Sequence, residues 1–168
     1  YAQRMNDARE WAKQYEIKAA STDAQKITLM LIDCQNTFCV PTGELYVNGA
    51  IEDNIRLSKY IYKNLHNITN IICTMDTHKV ISVFHEIFWI SDKGEYPTPG
   101  VTMISSEDVK TGVWKVNPAV AGAFGGDYMT LQRYALEYVD ALEMSGRYNL
   151  IIWPFHGLLG GIGHALVS

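Results

Sequence analysis

The chain contains no apolar run long enough to span a bilayer and no basic–apolar–small leader pattern, so neither a membrane span nor a signal peptide is expected. It also lacks a Lys/Arg-rich block or a basic helix face. With 14 basic residues against 18 acidic ones the net charge is −4, which argues against nucleic acid or an anionic membrane as the main partner. Cysteine is scarce: Cys34, Cys39 and Cys73 are an odd number with no metal-type pairing. Cys34 and Cys73 fall in or beside expected strands, where cysteine behaves as a small hydrophobe. A reducing, cytoplasmic compartment is the expectation. There is no internal repeat and no low-complexity tract. The chain begins without methionine and stops at Ala165-Leu166-Val167-Ser168, which reads as a helix just starting, so it is expected to be part of a longer protein.

What is present is ordinary globular composition, 48% hydrophobic and 19% charged over 168 residues, enough for one domain with a sizeable core. Met5, Ala8, Trp11, Ala12 and Tyr15 recur at helical spacing and predict an amphipathic opening helix. Residues 27–32 form a nearly continuous apolar run ending in Asp33, the pattern of a strand covered on both faces. An irregular loop over residues 34–49, turned by Pro41 and Gly43, precedes a helix over about residues 51–65 that is expected to bury Ile51, Ile55, Ser58, Tyr62 and Leu65. A strand over residues 70–74 completes a strand–helix–strand crossover, so the two strands should be parallel.

Between residues 86 and 127 turns are marked by Gly94, Pro97, Pro99 and Gly100. Short strands are expected over 101–104 and 113–116, and a Gly/Ala-rich loop over 119–126. A second helix runs from Asp127 or Tyr128 to Ser145 with Leu131, Tyr134, Tyr138, Val139 and Leu142 on its apolar face and Gly146 as C-cap. Residues 150–153 are a third apolar strand. The expected fold class is α/β, a mostly parallel sheet flanked by helices.

Chemistry concentrates at the ends of these strands. Thr74-Met75-Asp76-Thr77-His78, with His85 following, places a carboxylate and an imidazole two residues apart, on one side of an extended chain. His85 can return to the same point across a loop, and such a donor set suits a divalent metal. Asp33 ends the first strand and His156 follows the third, and in open α/β sheets ligands gather outside the carboxyl ends of strands. The alternative is that the histidines cap strands and bond to loop backbone. Asp33 is read either as a general base, its carboxyl desolvated at a buried strand end, or as a structural carboxylate bonded to loop amides. Neither Cys34 nor Cys39 has a neighbouring histidine or helix N-terminus to hold a thiolate. Gly160-Gly161-Ile162-Gly163 imitates a dinucleotide fingerprint. Its third small position is Leu166 and no acidic residue follows at ribose-reading distance, so a tight turn is the better reading and NAD binding is disfavoured.

Leu31-Ile32-Asp33-Cys34-Gln35-Asn36-Thr37-Phe38 with Gly43-Glu44-Leu45-Tyr46-Val47 resembles the opening motif of the nicotinamidase/isochorismatase-like cysteine hydrolases. Asp76, His78 and His85 are similar to that superfamily's metal segment, and Trp153-Pro154-Phe155-His156 to its Trp-Pro-x-His element. The resemblance covers residues 27–85 and 149–166. It implies a three-layer isochorismatase-like domain over residues 1–168, incomplete at its C-terminus, with a helical insertion over about 90–147 near the site, whose Tyr and Trp either line the pocket or, the favoured reading, form core or an oligomer interface. It implies a divalent ion, zinc first and manganese or iron otherwise, held by Asp76, His78, His85 and His156. It further implies Asp33 as acid/base of an Asp–Lys–Cys triad cleaving the C–N bond of a small amide, in a homo-oligomer. The family's lysine and nucleophilic cysteine follow the Trp-Pro-x-His element and are not in this sequence. Lys110 and Lys115 lie in the extra segment and do not replace the lysine, and Gly157 stands where nicotinamidases often carry a further cysteine. The competing expectation is a non-catalytic relative that keeps the metal site as a binding or scaffold element.

Overall fold

The computed structural model describes residues 1–146 and 148–167. The chain divides into two compact units, Tyr1–Asp76 joined by the residues from Ala165, and Thr77–His164. The first holds helix α1 (Ala2–Gln14), strand β1 (Thr28–Leu31), the one-turn helix α2 (Asn36–Cys39), helix α3 (Ala50–Asn64) and strand β2 (Asn70–Cys73). As the crossover spacing requires, β1 and β2 are parallel, with Thr28 opposite Asn70 and Leu31 opposite Cys73. In α1 only Trp11 and Ala12 of the apolar stripe are half-buried, Trp11 meeting Tyr62 of α3 edge-on at a ring separation of 5.4 Å. Gly43 is required in the loop after α2, where a Cβ would stand 2.4 Å from the Thr37 carbonyl oxygen.

Three sequence expectations are corrected in this unit. The strand read as covered on both faces leaves Met30 58% and Ile32 71% exposed, and Ile71 and Ile72 on β2 are exposed as well. Among the described residues no third strand joins the pair, and on β1 only Leu29 and Leu31 are half-buried. On α3 the stripe Ile51, Ile55, Ser58 and Tyr62 is exposed, and Asn54, Leu57 and Ile61 are half-buried instead, with Leu65 half-buried as expected. The buried face is thus displaced by one residue, about 100° around the helix. Ile51, Ile55 and Ser58 face a cavity of about 530 Å³ that Cys34, Cys39 and Cys73 also line. The residues from Ala165 do not start a helix. Leu166 bridges Gln35 in antiparallel fashion and the Ala165 carbonyl accepts from the Asn36 N–H at 2.9 Å, which removes those main-chain groups from helical bonding. Ser168 lies outside the described residues.

The second unit is built from short strands β3 (Trp89–Ser91), β4 (Met103–Ile104), β5 (Trp114–Val116) and β6 (Leu150–Ile151), with helices α4 (Ser106–Thr111) and α5 (Tyr128–Met144). β3 pairs antiparallel with β5 and β4 antiparallel with β6. The architecture is therefore mixed α/β with small sheets, and the expectation of one mostly parallel sheet is met by β1–β2 alone. The third apolar strand, β6, pairs within its own unit because Ile104 and Leu150, opposite each other in register, both enter the core. The residues read as a Gly/Ala-rich loop form a 3₁₀ helix, Pro118–Phe124, started by the Asn117 side chain accepting from the Ala119 N–H.

Phe88, Trp89, Ile104, Val116, Val139 and Ile152 form the centre of the apolar core, so most of it comes from the stretch expected to be an insertion and its flanks. α5 buries Leu131, Ala135 and Val139, whereas Tyr134, expected on that face, is 56% exposed. Its ends follow the sequence. Asp127 caps the N-terminus through Thr130 N–H, and Gly146 takes a φ of 65° and closes the C-terminus on the Glu143 carbonyl. α4, not anticipated, carries a reciprocal Ser105–Asp108 capping box and is tied to α5 by the Ser106 hydroxyl and Lys110, both on Asp140. Among the described residues no helix is long and apolar enough to cross a membrane.

Candidate metal centre

In the first unit the site begins where parallel pairing ends. The Thr74 N–H continues the ladder to the Leu31 carbonyl at 2.9 Å. At Asp33 the chain adopts a φ of 52°, the left-handed region that a non-glycine residue enters only when its surroundings hold it there. Two side chains take over from the lost main-chain partner. The Thr74 hydroxyl accepts from the Asp33 N–H at 3.1 Å and donates to the Asp33 carboxylate at 2.6 Å. Fully buried Gln35 donates from Nε2 to the Asp76 carbonyl at 2.9 Å and accepts the Asp76 N–H on Oε1 at 2.7 Å.

In the second unit two isolated parallel bridges reach residues 153–158, the Trp-Pro-Phe-His segment and the two residues after it. His78 bridges Leu158, its N–H on the Gly157 carbonyl and its carbonyl taking the Leu159 N–H, each at 3.0 Å. His85 bridges Trp153, whose N–H reaches the Phe84 carbonyl at 2.8 Å. Residues 153–158 thus run beside both earlier segments and carry His156 between them. Ring centroids are 4.6 Å apart for His78 and His156, 5.9 Å for His78 and His85, and 6.1 Å for His85 and His156. Asp76 precedes His78 by two residues, and one ligand atom from each of Asp76, His78 and His156 lies within 4.8 Å of the others. These three form a cluster able to hold a metal ion. His85 stands beside that cluster, and Asp33 is not in it.

The histidine hydrogen bonds select the tautomer a metal needs. Carbonyl oxygens only accept, so His85 Nδ1, 3.0 Å from the Val80 oxygen, and His156 Nδ1, 2.7 Å from the Pro154 oxygen, each carry the proton. A neutral ring bonded in this way presents Nε2 as a lone pair, the arrangement that orients metal-bound histidines. His85 Nε2 is buried and has no hydrogen-bond partner. An orphaned buried acceptor costs roughly 1–3 kcal/mol in desolvation. A cation at this point would remove that cost, and oxygen and imidazole donors without thiolate suit zinc, manganese or iron. The residues present fit such an ion.

Burial is the main cause that holds the His85 imidazole below its ordinary value near 6.5, helped by the His156 and His78 rings and opposed by the Val80 carbonyl. With the folded value below the unfolded one, the unfolded chain takes up the proton first as pH falls. The stability held by neutral His85 is therefore complete above pH about 6.5 and is lost as pH drops from there through the folded value. In chelator-treated protein, urea midpoints measured from pH 8 to pH 5 are expected to fall on the acid side. His85→Leu is expected to show a smaller fall, and an unchanged profile would remove His85 as the cause.

The remaining candidates lie elsewhere. Cys34, Cys39 and Cys73 are free thiols against the α3 cavity, and burial, then the neighbouring Cys39 and Cys73, push the Cys34 thiol up, away from the nucleophilic thiolate. Lys110 is committed to Asp140. The glycine-rich turn directly follows residues 157–159, which pair with His78, and a Cβ at Gly161 would stand 3.0 Å from the Leu158 oxygen, so tight backbone approach accounts for it. Sequence reading missed Gln35 and the bond between Thr77 and His164, whose Oγ1 and Nε2 are 2.8 Å apart. A polar residue two positions past Asp33, four past the end of β1, was the available signal for Gln35. Comparison with family models, with curated proteins and with solved structures finds no match to this chain.

Proposed function

We propose that this chain binds one divalent metal ion through Asp76, His78 and His156, with His85 completing the set. The observation that carries the reading is the clustered carboxylate and imidazoles beside the buried, unpartnered His85 Nε2. The donor types favour zinc, with manganese or iron as close competitors, and metal would stabilise the fold because the unfolded chain has no such cluster. Titration of chelator-treated protein with Zn²⁺ is expected to end at about one ion per chain. Absence of a saturable site overturns the proposal. On this reading the chain is a metal-binding module of isochorismatase-like character, in keeping with the sequence resemblance.

A second reading is the amide hydrolase that the resemblance implies, with a small amide as substrate, a homo-oligomer as working form and Asp33 as proton carrier. The observation favouring it is the strained Asp33 backbone, with its carboxylate fastened by Thr74. Backbone strain of this kind collects at functional sites. Among the described residues no cysteine or lysine stands in the metal cluster, which places binding ahead of catalysis. If the protein turns over a small amide such as nicotinamide, Asp33→Asn is expected to abolish turnover and leave bound metal unchanged. Full activity in that variant would remove Asp33 from the chemistry.

A further inference from the structure

We propose that Gln35 is a positioning residue of the metal centre, setting the geometry of Asp76 through its main chain. The inference rests on the metal reading above and adds to it a residue that makes no contact with the ion.

The argument starts from main-chain bookkeeping. In the β1–β2 register, Leu31 is opposite Cys73, and an unbroken ladder would next supply main-chain partners for Thr74, Met75 and Asp76. The left-handed turn at Asp33 withdraws that strand. Asp76 then needs another acceptor and another donor, and one side-chain amide provides both. A single planar amide can bond the N–H and C=O of the same residue only when those two groups point to the same side, which is the extended conformation. The pairing at 2.7 and 2.9 Å therefore holds Asp76 extended. In an extended chain the side chains of Asp76 and His78 then face the same way. Gln35 is itself well anchored: its N–H reaches the Asp33 carbonyl at 2.7 Å, it bridges Leu166, and it is fully buried. A buried polar side chain with both amide ends committed to one metal-cluster residue has little rotational freedom to lose.

Gln35→Met keeps the length and removes both hydrogen bonds. Gln35→Glu keeps the acceptor for the Asp76 N–H and sets an oxygen against the Asp76 carbonyl. Loss of an outer partner of a metal ligand typically weakens metal binding about 10- to 100-fold, and that is the expected loss in Zn²⁺ affinity for either variant, read by chelator competition on the whole chain. The Co²⁺-loaded variants should also show a changed visible absorption band, which reports ligand geometry and would not move if Gln35 served folding alone. In an Asp76→Ala background Gln35→Met should cause no further loss, whereas in a His156→Ala background its effect should persist.

Wild-type protein that binds no Zn²⁺ overturns the metal reading and this inference together. Wild-type binding with unchanged affinity and an unchanged Co²⁺ band in both variants overturns this inference alone. A drop in the metal-free melting temperature large enough to account for the affinity loss in both variants makes Gln35 a folding residue and likewise overturns it.

Discussion

Replacing His78 and His85 together by alanine is expected to abolish metal-dependent stabilisation of this protein. At a Zn²⁺ concentration one hundred times the dissociation constant, binding to the native state alone adds about 2.7 kcal/mol. Were affinity only a hundredfold weaker in the double variant, the same concentration would add about 0.4 kcal/mol. The shift in unfolding midpoint on adding Zn²⁺ should therefore nearly vanish. The expectation follows from the site's construction. His78 is one of three side chains whose ligand atoms lie within 4.8 Å, and the His85 Nε2 is buried with no hydrogen-bond partner. In the metal-free state the double variant should lose less, because removing His85 also removes a desolvated acceptor. Equal metal content in wild type and variant, measured by elemental analysis after dialysis, would defeat the assignment.

The second large effect lies in the core. Trp89→Ala is expected to cost about 3–5 kcal/mol, the range for emptying a fully buried aromatic site. Trp89 has no exposed surface, packs edge-on against Phe88 and donates from its indole N–H to the Val83 carbonyl at 2.6 Å. That bond connects core packing to the candidate site, because Val83 lies two residues before His85. Trp89→Phe keeps most of the apolar volume and drops the donor, so the carbonyl of half-buried Val83 loses its indole partner, at a cost of roughly 0.5–1.5 kcal/mol for one hydrogen bond. It should also loosen the His85 segment, read as faster amide exchange over residues 83–85. Chemical denaturation separates the two variants, and a loss below about 1 kcal/mol for Trp89→Ala would show that the side chain is not packed as described.

Much of the local structure was legible because local rules govern it. The parallel relation of β1 and β2 followed from a crossover of ordinary length, and α5 from its apolar period, its Asp127 start and its Gly146 stop. Asp76 and His78 were placed on one side by their two-residue spacing. Other features escaped for reasons that spacing does not encode. β3 is three residues long, too short to show a period, and its partner β5 lies beyond a turn-rich stretch. The face of α3 was misjudged by one residue because both stripes border one cavity, Ile51, Ile55 and Ser58 together with Asn54, Leu57 and Ile61, and only the latter three are half-buried. Tyr134 shares the apolar period of α5 yet stays exposed, while Ala135, one position on, is fully buried.

For the site the division is sharper. Amino-acid identity alone determined which donors exist, a carboxylate and imidazoles at strand ends, and hence the kind of ion they suit. That His156 arrives beside His78, that Nδ1 of His85 and of His156 faces a carbonyl, and that Gln35 holds Asp76 by its main chain were decided only by tertiary structure. Those relations join residues far apart in the chain through hydrogen bonds to backbone groups, and backbone groups are the same at every position until folding makes them different.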